Sequence, residues 1–335
     1  MYRRFLSWQY LPLVLTLLLY LLIYWVRYIQ GGWEIEINIF QDLRSDLDKK
    51  ITHYLPSPQA ELLSGILLGE NKNLPGQFRL ALRDTSTLHI VVASGQNLSM
   101  VAGFFFLLAG LIKRKTAIIL SFLAVIFYVC LTGAQVPILR AAIMVMAGYL
   151  AQILGKEKIS IWVVVVTAGL MLLINPSWIT DLSFQLSFLA TLGVVGMAPI
   201  LFKVFKSLPD FIKGDLSVSL AAQAMVMPII GQNFHQLSLV TLPTNVLILW
   251  TVPFIMILGA VFLIIAYIFA PLAAIAALIL NILLTYFIYI VQFFASLPFA
   301  WEYIGEFSWI VWVGYYLILA GTLKLIYDLS QKQAE

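Results

Sequence analysis

The chain has 335 residues, 62% of them hydrophobic and 11% charged, with a formal net charge of +4 and a mean hydropathy of +0.97. Soluble domains carry roughly 25% charged and about 45–50% apolar residues, so this composition excludes a water-soluble globular protein and indicates an all-α, polytopic membrane protein. The single Cys130 excludes an internal disulfide and a cysteine metal cluster, and the absence of a phosphate-binding loop leaves energy-costing work to a partner or a gradient.

Residues 1–29 read as an N-terminal transmembrane anchor. Their basic start, Arg3 and Arg4, resembles a signal peptide, but the length and the missing small-residue cleavage site favour a retained helix. Residues 30–58 form the one clearly polar block. Within it Ile39, Leu43, Leu47, Ile51 and Leu55 recur every four residues among Glu34, Glu36, Asp42, Arg44, Asp46, Asp48, Lys49 and Lys50, which predicts a short amphipathic helix outside the membrane or on its surface. Residues 60–84 contain two apolar pieces, each too short to span, joined through Pro75 and Gly76; they read as a helical hairpin on the outer face or dipping from it into the membrane.

The next segment, 88–112, is long enough to cross a bilayer, yet Ser94, Gly95, Gln96 and Asn97 sit inside it. Lipid offers an unwound backbone no hydrogen bonds, so a break there must be buried in protein or line water. Two half-helices with amides aimed into the gap, as in discontinuous transporter helices, are expected; a glycine-kinked helix packed on a neighbour is the alternative. Ser94 lacks the flanking glycines of a nucleophile elbow and reads as a cap.

Further spans are predicted near 8–29, 116–132, 137–154, 159–174, 182–202, 216–233, 238–268, 272–295 and 308–328, about ten in all with 88–112. Lys113, Arg114, Lys115, Lys156, Lys158, Lys203, Lys206, Lys213, Lys324 and Lys332 then join Arg3 and Arg4 on one side, while the opposite short loops after residue 130 hold Asp181, Glu302 and Glu306. By the positive-inside rule both termini, including a tail at 329–335, are cytoplasmic.

Arg140 lies about one turn inside the helix that Pro137 opens. A cation at that depth calls for a phosphate or carboxylate partner, unless it snorkels to headgroups. Asp181 with Gln185, and Ser183 with Ser187, are four apart at the start of another helix, a pattern that suits interhelical hydrogen bonding as well as a substrate. Pro243 and Pro253 in one long apolar segment imply a kink or a second break near Asn245. His89 and His235 are expected near the outer face, where two histidines without a clustered acid make a poor metal site. No metal or other cofactor is called for.

The motif around Leu67, Gly69, Pro75, Phe78, Leu82, Thr85, Thr87, His89, Ser94 and Gly95 resembles the signature of the ComEC family, the inner-membrane channels of bacterial natural transformation. Pro137 to Met144 with Leu154 and Gly155, Asn175 and Pro176 leading to Phe184, Gln185 and Phe188, and Phe234, His235 and Ser238 leading to Asn245 agree in order and spacing. The resemblance covers about residues 60–265. It implies that 59–328 is a competence-type membrane channel domain passing single-stranded DNA into the cytoplasm, a transporter and not an enzyme. By the same resemblance its substrate path includes His89, Ser94, Gly95, Arg140, Gln185 and His235; Gln96 and Asn97 join it as members of the same loop, and Asn245 completes the candidate path. Expected partners are single-stranded DNA, membrane lipid, a cytoplasmic helicase-like ATPase, an outer DNA receptor or pilus, a separate nuclease and a second copy of the chain. The chain departs from the family in continuing Gly95 with Gln96, Asn97, Leu98 and Ser99, and in having no room for the OB-fold or the metallo-β-lactamase-like domain that full-length members add. It therefore reads as the membrane core alone. A transporter of another anionic solute, an intramembrane enzyme with a histidine base, and a non-conducting scaffold are the competing readings.

Overall fold

The structure, a computed structural model, describes residues 11–33, 39–70, 73–92, 94–107, 113–133, 135–153 and 160–332. The expectations resting on Arg3, Arg4, Glu34, Glu36, Leu154, Gly155, Lys156 and Lys158 lie outside the described residues. The chain begins with α1 (Leu11–Gln30), α2 (Gln41–Tyr54), α3 (Gln59–Leu68) and α4 (Gly76–Asp84). It continues with α5 (Leu88–Val91), α6 (Gly95–Leu107), α7 (Arg114–Thr132), α8 (Val136–Ile153) and α9 (Ser160–Ile174). A 3-10 turn (Pro176–Thr180) leads into α10 (Leu182–Val204) and α11 (Asp210–Phe234). Strand β1 (Gln236–Ser238), α12 (Thr241–Ile248), α13 (Thr251–Ile268), α14 (Ala270–Ala295), β2 (Trp301–Tyr303) and α15 (Trp309–Lys332) complete it.

This is an all-α membrane protein. Among the described residues six helices are long and apolar enough to cross a bilayer: α7, α10, α13, α14, and the Ile212–Phe234 and Trp309–Ile326 parts of α11 and α15. Shorter apolar helices lie at Leu15–Gln30, Gln59–Leu68, Val136–Leu150 and Ile161–Ile174. Two of the predicted spans are divided. Segment 88–112 breaks between α5 and α6, and 238–268 breaks between α12 and α13. Pro243 and Pro253 each fall at the third position of their helix, where a proline's missing N–H has no intrahelical partner to lose, so the chain restarts at each instead of bending through them.

α2 is amphipathic as its spacing predicts. Ile51 and Leu55 are buried, Leu43 and Leu47 pack against the same core, and Tyr54 meets the Phe262 ring edge-on at 5.7 Å. Its charged side secures neighbouring segments: Arg44 pairs with Glu70 at 3.1 Å, and Asp48 accepts from the Ser64 hydroxyl.

Of the two helices of the 60–84 hairpin, α3 is interior, whereas α4 keeps Gln77, Arg79, Leu80 and Arg83 exposed. Leu62, Leu63, Ile66 and Leu68 of α3 are at most 1% exposed and lie in the main core with α6, α7, α8, α13 and α14. The cause is compositional: after Glu61 the helix has only Ser64 as a polar side chain, so no side of it suits water.

α10 and α11 pack closely against each other, and Gly193 permits it. A Cβ there would lie 2.4 Å from the Ala221 carbonyl oxygen and 2.7 Å from Met225. Backbone cannot retreat as a side-chain tip can, so Gly193→Val is expected to destabilise by about 1–3 kcal/mol, the usual cost of overpacking. A lowered thermal midpoint of the detergent-solubilised protein measures it; an unchanged midpoint contradicts this packing. The one feature with no counterpart in the periodicity is the antiparallel β1–β2 pair, Gln236 opposite Tyr303, whose three-residue strands are too short to show alternation.

Candidate functional site

α5 ends where Val92 turns extended (φ −74°, ψ 137°). Ser94 then caps α6: its hydroxyl oxygen accepts from the Asn97 amide at 3.3 Å, as the residue type favours. The break therefore lies earlier than the sequence suggests. Gly95, Gln96 and Asn97 are not in the unwound stretch but form the first turn of α6, because a serine at the cap lets the helix begin immediately after it. Gln96 is exposed.

Asn97 points inward instead. It is 1% exposed, and its Nδ2 donates to the Ile66 carbonyl at 3.1 Å, an oxygen that also accepts from the Tyr128 hydroxyl at 3.2 Å. Three segments, α3, α6 and α7, are thus joined at one carbonyl. Asn97→Leu removes one of its donors and the side-chain oxygen that accepts from the Ser94 hydroxyl, while the main-chain amide keeps its bond to Ser94, and is expected to cost about 1–3 kcal/mol of stability. The measurement is the denaturation midpoint; a wild-type midpoint removes Asn97 as a structural tie.

Arg140 stands one turn into α8. Its Nη1 donates to the Ser187 carbonyl at 2.7 Å and to the Thr191 hydroxyl, and Thr191 in turn donates to the Ser187 carbonyl at 2.9 Å. The guanidinium carbon lies 5.9 Å from the Phe188 ring, and Nε is buried without a hydrogen-bond partner. Gly95 faces the other side of the group: a Cβ on it would fall 2.6 Å from Arg140 Nη2 and 3.0 Å from the Ala141 Cβ. Arg140 therefore bridges the capped start of α6 to α10 and does not turn out to headgroups. Every acceptor it reaches is neutral. The ion pairs among the described residues, Arg44–Glu70, Arg83–Asp84 and Lys213–Asp210, leave its charge uncompensated.

The other expected residues lie apart from this group. Gln185 donates to the Ile179 carbonyl at 2.9 Å and fastens the 3-10 turn to its own helix, while Asp181 accepts from the Phe184 amide at 2.8 Å as the cap of α10. The interhelical bond in this segment comes instead from the main-chain carbonyl of Ser187. His89 is exposed, with Nδ1 2.8 Å from the Ser86 carbonyl. His235 closes the C-terminus of α11 at φ 53°, with Nδ1 3.1 Å from the Gly305 carbonyl. His89 is held by its own loop and His235 by the loop that follows β2, and among the described residues no group of three His, Cys, Asp or Glu could hold a metal. Asn245 is 4% exposed on α12, and its Oδ1 has no hydrogen-bond partner.

Sequence reasoning missed Thr191 and Tyr128. Thr191 had a signal, since it lies one turn beyond Ser187; a lone tyrosine in an apolar helix carried none.

A family model described as "Competence protein" matches residues 66–328. The chain is 31% identical over 223 residues to ComE operon protein 3 of Bacillus subtilis (strain 168), covering 65% of this chain and 28% of that protein. It is 30% identical over 187 residues to an uncharacterized protein of Aquifex aeolicus (strain VF5), covering 54% and 42%, and 25% identical over 217 residues to the uncharacterized protein YcaI of Escherichia coli (strain K12), covering 60% and 28%. The chain thus spans less than half the length of each of these relatives. No solved structure matches it.

Proposed function

The chain belongs to the competence protein family, and from that premise we propose that it passes single-stranded DNA across the cytoplasmic membrane during natural transformation. In this reading it is a channel or transporter and not an enzyme, both termini are cytoplasmic, and a helicase-like ATPase and an outer DNA receptor act with it.

The observation that carries the reading is Arg140, a half-buried guanidinium whose hydrogen bonds all end on neutral oxygens. Removing a cation from water costs several kcal/mol unless it is paired, and neutral dipoles compensate only part of that. An anion completes the balance, and a phosphate oxygen suits the planar donor fork. Gly95, in the first turn of α6, lies against the same group, and a helix start adds to the attraction for negative charge. A strand of phosphates is the anion the family reading supplies.

Binding of a labelled oligonucleotide to the purified protein, followed against salt, tests this. Each cation that neutralises a phosphate on a single strand contributes about 0.7 to the slope of log affinity against log salt. Arg140→Met is expected to lower the slope by about that amount. An unchanged slope and affinity separate Arg140 from the DNA.

A further inference from the structure

Beside α8 a cleft of ≈490 Å³ is lined by Arg27, Trp33, Ile143, Leu170, Leu173 and Ile174. Its size falls within the usual range of ligand pockets, about 300–1,000 Å³. Its walls come from α1, α8, α9 and the residues just after α1, and all but Arg27 are apolar. Leu170 is 48% exposed and Trp33 65%, so the cleft opens outward from an apolar helix of a membrane protein. Hydrocarbon, not water, fills such an opening.

Arg27 gives the cleft a chemical direction. Its Nε and Nη2 donate to the Leu173 and Ile174 carbonyls at 3.1 and 3.3 Å, the free end of α9, and its guanidinium carbon sits 3.8 Å over the Trp33 ring. Main-chain bonds and the ring fix the cation at the rim, one turn before α1 ends. An indole and an arginine at the end of a membrane helix mark headgroup depth, with apolar walls below. Arg27 has no carboxylate partner among the ion pairs of the described residues.

We propose that this cleft binds one anionic phospholipid, its phosphate on Arg27 and an acyl chain along Leu170, Leu173 and Ile143. Ile143 lies three residues beyond Arg140, so the chain supports the helix that presents the buried cation. This site is independent of the DNA reading.

The test is native mass spectrometry of the delipidated full chain with phosphatidylglycerol or phosphatidylcholine added. The wild-type protein retains phosphatidylglycerol about fivefold better than phosphatidylcholine, the preference one basic residue confers at an anionic surface. Arg27→Gln abolishes the preference. Leu170→Trp, which fills the cleft and leaves the Arg27 bonds intact, abolishes retention of both lipids. Equal retention by the wild type, full retention by folded Leu170→Trp, or equal protection against thermal unfolding by inorganic phosphate alone each overturns the proposal.

Discussion

Arg140→Met is expected to lower transformation by roughly 30-fold or more, the equivalent of about 2 kcal/mol or more for removing one partner of a buried charge contact. The assay is complementation of a transformable host lacking its own family member. Methionine keeps an unbranched, flexible chain that fills much of the same space, and replacing a buried charge with an apolar group of similar volume is often neutral for folding. Protein level and thermal midpoint are therefore expected to stay near wild type. Thr191 and Ser187 keep their mutual bond without Arg140. Arg140→Lys retains the charge but lacks the planar guanidinium that a phosphate can engage through two nitrogens, so partial activity is expected. Wild-type transformation in Arg140→Met would contradict the role of the cation.

Gly95→Val is expected to have a comparable effect by moving the same group. Gly95 lies in the first turn of α6 and needs no unusual backbone conformation; what it supplies is space, since a Cβ would stand 2.6 Å from Arg140 Nη2 and 3.0 Å from the Ala141 Cβ. Alanine is the milder change, because Nη2 is the tip of a flexible side chain and can shift. Valine adds two methyls that leave the guanidinium no position on this side. The two substitutions act on one group, so their effects are non-additive: Gly95→Ala costs little more once Arg140→Met is present. Additive losses in transformation would mean that Gly95 serves another neighbour.

Much of this architecture is legible in the sequence because hydrophobic length and helix signals are local. The class of protein, the amphipathic face of α2, the break in 88–112 and the opening of α8 by Pro137 all follow from composition, spacing and proline chemistry. The position of the break does not follow as closely. Four polar or small residues in a row read as one unwound stretch, whereas a serine cap admits the other three into the helix. The interior place of α3 depends on which helices enclose it, and a ten-residue apolar run does not name its neighbours.

The candidate site shows the same division. Arg140 and Gly95 are each visible as anomalies at membrane depth, but their apposition spans a sequence separation that no periodicity reports. The acceptors of Arg140 are harder still, since one is a main-chain carbonyl that any residue type would carry. Asn97 shows the opposite case, an amide that reads as lining a gap and is spent joining three helices at the Ile66 carbonyl.

Delivery of labelled single-stranded DNA into liposomes containing the purified protein, with external DNA removed by nuclease, tests whether the Arg140 group serves a DNA passage. Protected DNA is expected inside vesicles with the wild type, and its loss with Arg140→Met inserted at equal density. Equal protection by the two proteins, or none above empty vesicles with the wild type driven by its ATPase partner, would contradict that role.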